Sequence, residues 1–86
     1  SSYSKVMETL IEAWVEIGKN SKAIKASEKI LAVNPANSLV RLHRGRAFLN
    51  LGDTESAKKE FGIILEIDDE NQEAQDGLAK ALLLEN

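Results

Sequence analysis

Glu8, Glu12 and Glu16 stand four residues apart, so a helix would carry three carboxylates on one face. Carboxylates held that close serve acid–base chemistry when a pocket perturbs their proton affinities. Without a pocket they make a solvated or groove-facing acidic stripe, and no nucleophile constellation or phosphate-cradling glycine loop accompanies them here. His43 is the only histidine. A metal site wants several such ligands at close spacing, so His43 reads as a groove or surface residue. The chain has no cysteine, which removes disulfides and thiolate ligation. Arg41, Arg44 and Arg46 form a basic cluster of the kind that contacts nucleic acid. On a helix, however, Arg44 and Arg46 lie about 300° and 500° of rotation from Arg41, so the three do not share a face. The net charge of −3 offers no general attraction to nucleic acid or to an anionic membrane. Catalysis, cofactors and metal ions are not expected.

These side chains must be positioned by one small domain, since the chain has 86 residues. Hydrophobic residues make up 43% and charged residues 29%, a globular balance. No apolar run approaches the roughly 18 residues that would span a bilayer, and a soluble, cytoplasmic protein is the default expectation. The chain opens Ser1-Ser2 without an initiator Met, so residues 1–3 read as a disordered or tag-derived start.

Apolar residues recur at helical spacing throughout. Val6, Leu10, Ala13, Trp14 and Ile17 set the first pattern, which Gly18 breaks. Asn20 or Ser21 can cap a second helix bearing Ala23, Ile24, Ser27, Ile30, Leu31 and Val33, which Pro35 ends. Asn37 or Ser38 can cap a third, with Val40, Arg44, Ala47, Phe48 and Leu51 on one face. Thr54 can cap a fourth, carrying Ala57, Phe61, Ile64, Leu65 and Ile67. The fifth begins near Gln72, with Ala74, Leu78, Ala81 and Leu82 inward. The expectation is an all-α fold of five antiparallel helices near 4–17, 21–33, 38–51, 55–67 and 72–84, with Trp14 and Phe48 in the core.

A shift of 34 residues superimposes the sequence on itself. Ser4/Ser38, Val6/Val40, Ala13/Ala47, Gly18/Gly52, Ala23/Ala57, Lys25/Lys59, Ile30/Ile64, Leu31/Leu65 and Asn37/Asn71 are identical pairs. A repeat of this length means a solenoid or array of stacked units. With Gly45, Phe48, Ala57 and Phe61 at their places in the stretch from Arg44 to Phe61, and Ile64 just beyond it, the sequence resembles the tetratricopeptide repeat family. The resemblance divides the chain into one unit at 4–37, a second at 38–71 and a C-terminal helix at 72–86. It implies a right-handed α-α superhelix with a concave groove lined by the first helix of each unit. Ile11 and Ser27 depart from the family pattern, which wants a small residue and an aromatic there. A large-for-small exchange would conserve volume if the two touch. Gly45 is expected to face Phe61.

The same resemblance places Glu8, Glu12 and Val15 of the first helix in the groove. Leu39, Leu42, Arg46 and Leu49 follow from the third helix, with His43 at its border, and Glu73, Asp76, Lys80 and Leu83 from the fifth. An apolar strip between mainly acidic flanks suits an extended or helical peptide with apolar anchors and basic character. Pairing of Glu12 with Arg46 across the groove is the intramolecular alternative. Some family members clamp the C-terminal carboxylate of heat-shock chaperones with Lys, Asn and Arg. The matching positions here hold Glu8, Glu12, His43, Glu73 and Gly77, so that ligand is not expected. The function implied is a protein–protein interaction module; the alternative is a structural segment of a longer solenoid. Leu83 and Leu84 point to a monomer or a weak homodimer through the C-terminal helix.

Overall fold

The computed structural model describes residues 2–86. It contains five helices: α1 (Ser2–Glu16), α2 (Asn20–Val33), α3 (Ser38–Asn50), α4 (Thr54–Ile67) and α5 (Gln72–Leu84). Short turns fold each helix back on the one before. Packing runs between neighbours, and also from α1 to α3 and from α3 to α5, while α1 meets neither α4 nor α5. A bundle would close α1 on α5. This is instead an open stack, 39 × 27 × 18 Å. The expected disordered start at 1–3 is corrected for Ser2 and Tyr3, which lie in α1; Ser1 is outside the described residues.

The turns explain the two glycines that the repeat superimposes. Gly18 and Gly52 have φ of +86° and +79°, a left-handed conformation that strains any residue with a Cβ. Each closes its helix with the same pair of bonds. The Lys19 N–H donates to the Trp14 carbonyl at 2.7 Å and the Gly18 N–H to Val15 at 3.1 Å. Asp53 donates to Phe48 at 2.9 Å and Gly52 to Leu49 at 3.0 Å. The helix starts at Asn37 and Asn71 also match: their side chains accept from the Val40 and Ala74 N–H groups. Two expected caps are corrected. Asp53, not Thr54, caps α4, because its carboxylate accepts from the Ser56 N–H. α2 begins at Asn20 without a side-chain cap; Asn20 donates instead to the Gly18 carbonyl and accepts from Asn50.

Two apolar clusters fill the stack. Ile11, Val15, Ala23, Val40 and Ala47 form one beneath α1–α3. Leu42, Ala57, Phe61, Ile64, Ala74 and Ala81 form the other beneath α3–α5. The phase of the first helix differs from expectation: Ile11 and Val15 are buried, while Val6, Ala13 and Ile17 are exposed. Val6 and Val40 occupy equivalent places, yet Val6 is 62% exposed and Val40 0%. α1 and α2 cover Val40; no element of the described chain covers Val6. Val33, Leu51, Ile67 and Leu82 are also exposed, at helix ends that the packing does not reach. Trp14 and Phe48 are half-buried at the cluster margins, not in the core. Lys22 and Arg44 lie over their rings, at 5.5 and 5.1 Å from the centroids.

Phe61 does face Gly45, as expected. It also faces Gly77: a Cβ built on either glycine would come within 2.7 or 2.5 Å of the ring. Ile11 and Ser27 are both wholly buried. What satisfies Ser27 was not foreseen. Its hydroxyl donates to the Ile24 carbonyl at 2.6 Å and accepts from Arg44 Nη1 at 2.9 Å. Arg44 Nε and Arg41 Nη1 both donate to the buried Glu60 carboxylate, at 3.3 and 2.8 Å. These bonds join α2, α3 and α4. Two of the three cluster arginines are therefore committed to the fold.

Candidate groove

The hairpin geometry puts α1, α3 and α5 side by side along one face, with α2 and α4 behind them. Near the C-terminal ends of α1, α3 and α5 this face holds a cleft of about 610 Å³. Val15 and Leu49 contribute apolar surface from α1 and α3, and Leu83 and Leu84 from α5. Glu16, Arg46, Asn50 and Lys80 supply its polar groups. Asn50 is held in place by its bond to Asn20 Oδ1 at 2.9 Å.

Five of the residues expected in the groove therefore meet in one cleft: Val15, Arg46, Leu49, Lys80 and Leu83. The others are distributed around it. Leu42 is buried in the α3–α5 cluster and His43 is only 3% exposed, so both lie beneath the surface. Glu8 accepts from Asn37 Nδ2 at 2.8 Å. Asp76 accepts from Gln72 on its own helix, and Leu39 is exposed outside the cleft. Glu16, Asn50 and Leu84 are additional lining residues.

The cross-groove charge pattern corrects one expectation. Arg46 reaches Glu73 on α5 at 3.4 Å, not Glu12. Glu12 stands 3.9 Å from His43 Nε2. Burial lowers the His43 pKa below its ordinary value of 6.5 and outweighs the opposing pull of Glu12; Arg46 lowers it further, while Glu73 and Glu16 raise it. His43 is thus neutral at pH 7, and Glu12 has no cationic partner there. With Arg46 matched by Glu73, the α1 wall presents Glu12 and Glu16 as a free negative edge. Among the described residues, no three His, Cys, Asp or Glu side chains gather as a metal site would require. No helix among them is long and apolar enough to cross a membrane.

A family model described as tetratricopeptide repeat matches residues 15–83. The chain belongs to the tetratricopeptide repeat family. No curated protein matches it. Tetratricopeptide repeats are generally protein-interaction modules and typically non-catalytic. This open stack of helical hairpins fits their helical-repeat superhelix.

Proposed function

We propose that this tetratricopeptide repeat chain is a peptide-binding module. Its units at 4–37 and 38–71, with the C-terminal helix 72–86, present the α1–α3–α5 face to a partner protein. The observation that carries the reading is the convergence of three helices on one partly apolar cleft of about 610 Å³. Concave, largely apolar surfaces with a few placed polar groups are where ligands bind. Val15, Leu49, Leu83 and Leu84 receive one or two apolar side chains of the peptide. Glu12 and Glu16 attract a basic residue beside them, and Lys80 and Asn50 meet its backbone carbonyls. A carboxylate terminus is disfavoured, because Glu8 and Glu73 stand at positions where a chaperone clamp would need cations, and Glu12 adds a further negative charge.

Selection from a displayed library of random peptides tests this. The expected winners combine Leu, Ile or Phe anchors with Lys or Arg, and they fail to bind a Leu83→Glu variant. Leu83 is 71% exposed, so the variant keeps its fold. Winners that are acidic, or that bind Leu83→Glu equally well, would refute the proposal.

A further inference from the structure

A second surface lies away from the concave face, on the outer side of α1 and α2. Tyr3, Met7 and Ala26 line two adjoining clefts there, of about 360 and 240 Å³. Ile30 and Val33 extend the first cleft, and Trp14 floors the second. Along its edge α2 places Lys22, Lys25 and Lys29, all exposed, as a rail of three positive charges. Glu8, bound by Asn37, lines the α1 side of the first cleft, so the surface is an apolar furrow whose basic rim runs along α2.

The chain contains its own template for what fills such a furrow. Thirty-four residues later, the corresponding side of α3 is packed against α2. Arg44 grips α2 there, donating to the Ile24 carbonyl at 3.2 Å and to Ser27. Glu28 of α2 approaches Arg44 at 3.9 Å and shares a cleft with Lys59, the counterpart of Lys25. An amphipathic helix with a carboxylate toward the basic edge is thus the natural occupant.

The composition of the two sides makes the contrast sharp. Where the α2-packed side has Arg41, Arg44 and Glu60, the open side has Met7, Leu10 and Ala26. At these three positions the open copy is the more apolar one, while along the α2 edge it has Lys22 and Lys29 where the packed copy has Ser56 and Ile63. A second copy of this chain does not supply the missing helix in the same way. Its helices of the α2 type, α2 and α4, are already packed on α3 and α5.

We propose that the outer α1–α2 furrow docks an acidic amphipathic helix of a partner protein. Its apolar stripe lies on Met7, Trp14 and Ala26, and its carboxylates face Lys22, Lys25 and Lys29. This site is opposite in charge preference to the concave groove, so the two are separable by experiment.

Trp14 is the only tryptophan and reports directly on the furrow. The probe is a synthetic four-turn helical peptide with Leu at i, i+3, i+4 and i+7 spacing and Glu along both edges of that stripe. A matched peptide carries Lys in place of Glu. The Glu peptide is expected to shift Trp14 emission to the blue saturably, and to bind about tenfold more tightly than the Lys peptide, as a few exposed ion pairs allow. The combined Lys22→Glu, Lys25→Glu and Lys29→Glu variant should invert that order, with an unchanged helical signal by circular dichroism. Leu83→Glu, in the concave groove, should leave Glu-peptide binding intact. An absent Trp14 response, no preference between the peptides, a preference that survives charge reversal, or loss of binding in Leu83→Glu would each overturn the proposal.

Discussion

Gly77→Ala adds one methyl group to the interior of α5, and the structure says where it goes. The new Cβ falls 2.5 Å from Phe61 Cζ and 2.6 Å from Cε1. A ring on the surface would swing aside. Phe61 is fully buried among Leu42, Ala57, Ile64, Ala74 and Ala81, and Gly45 confines the same Cε1–Cζ edge from α3. Overpacking a closed core costs about 1–3 kcal/mol. Replacing Gly by Ala inside a helix returns roughly 0.5–1 kcal/mol through backbone entropy. Gly62 isolates that second effect, because it sits within α4 and a Cβ there meets nothing within 4 Å. Gly62→Ala is expected to stabilise the chain, and Gly77→Ala to fall below it by about 1–3 kcal/mol. Such a gap amounts to roughly 4–8 °C in Tm per kcal/mol for a domain this size. Denaturant and thermal unfolding by circular dichroism measure both. Phe61→Leu should also shrink the difference between Gly77→Ala and its parent. Equal stabilities for the two alanine variants would refute the account of Phe61 as a ring held between glycines.

The other predictions concern the polar parts of the fold. Glu60→Ala leaves the Arg41 and Arg44 guanidinium groups without their shared carboxylate, and should destabilise by about 3 kcal/mol in urea unfolding; no loss would show the network to be idle. Asn71→Ala removes one helix cap and should cost about 1 kcal/mol. Asn37→Ala should cost more in the same assay, because Asn37 also holds Glu8. His43 accepts a proton less readily folded than unfolded, so below about pH 6.5 the unfolded chain binds more protons and stability falls. The pH dependence of unfolding should therefore flatten between neutral pH and pH 5 in His43→Gln; an unaltered slope would contradict the burial argument.

Most features set by neighbours in the chain were legible in the sequence, the starts of α2 and α4 excepted. Gly18, Gly52 and Asn37 close or open helices through bonds that span five residues or fewer, and their types announce those bonds; Asn71 caps α5 in the same way, but from the sequence it read only as the repeat partner of Asn37. The family resemblance then paired Gly45 with Phe61 across a hairpin. Other features depend on which elements stand opposite, and these escaped the sequence. Val6 and Val40 are identical residues with opposite fates, because only one has helices laid over it. Gly77 read as a groove position without a clamp residue, yet it is buried and gives Phe61 its second wall. The Arg44–Ser27 and Arg41–Glu60 bonds join residues 17 and 19 positions apart, and no spacing rule points to them. In the groove, Arg46 had acidic candidates on both sides; it lies with Glu73 on α5, which frees Glu12 and Glu16. The helices that line the groove were readable, but the buried state of Leu42 and His43 was not.

The central claim is that the α1–α3–α5 face binds peptides carrying apolar anchors and a basic residue. Amide chemical-shift mapping on the isotopically labelled chain, titrated with a Leu- and Lys-containing peptide from the library, tests it most directly. The account predicts saturable shifts centred on Val15, Glu16, Leu49, Asn50 and Leu83. They should weaken on Glu16→Lys and vanish on Leu83→Glu, while the amides of α2 stay unchanged. Shifts centred on α2 or on the outer side of α1, or persisting in Leu83→Glu, would contradict it.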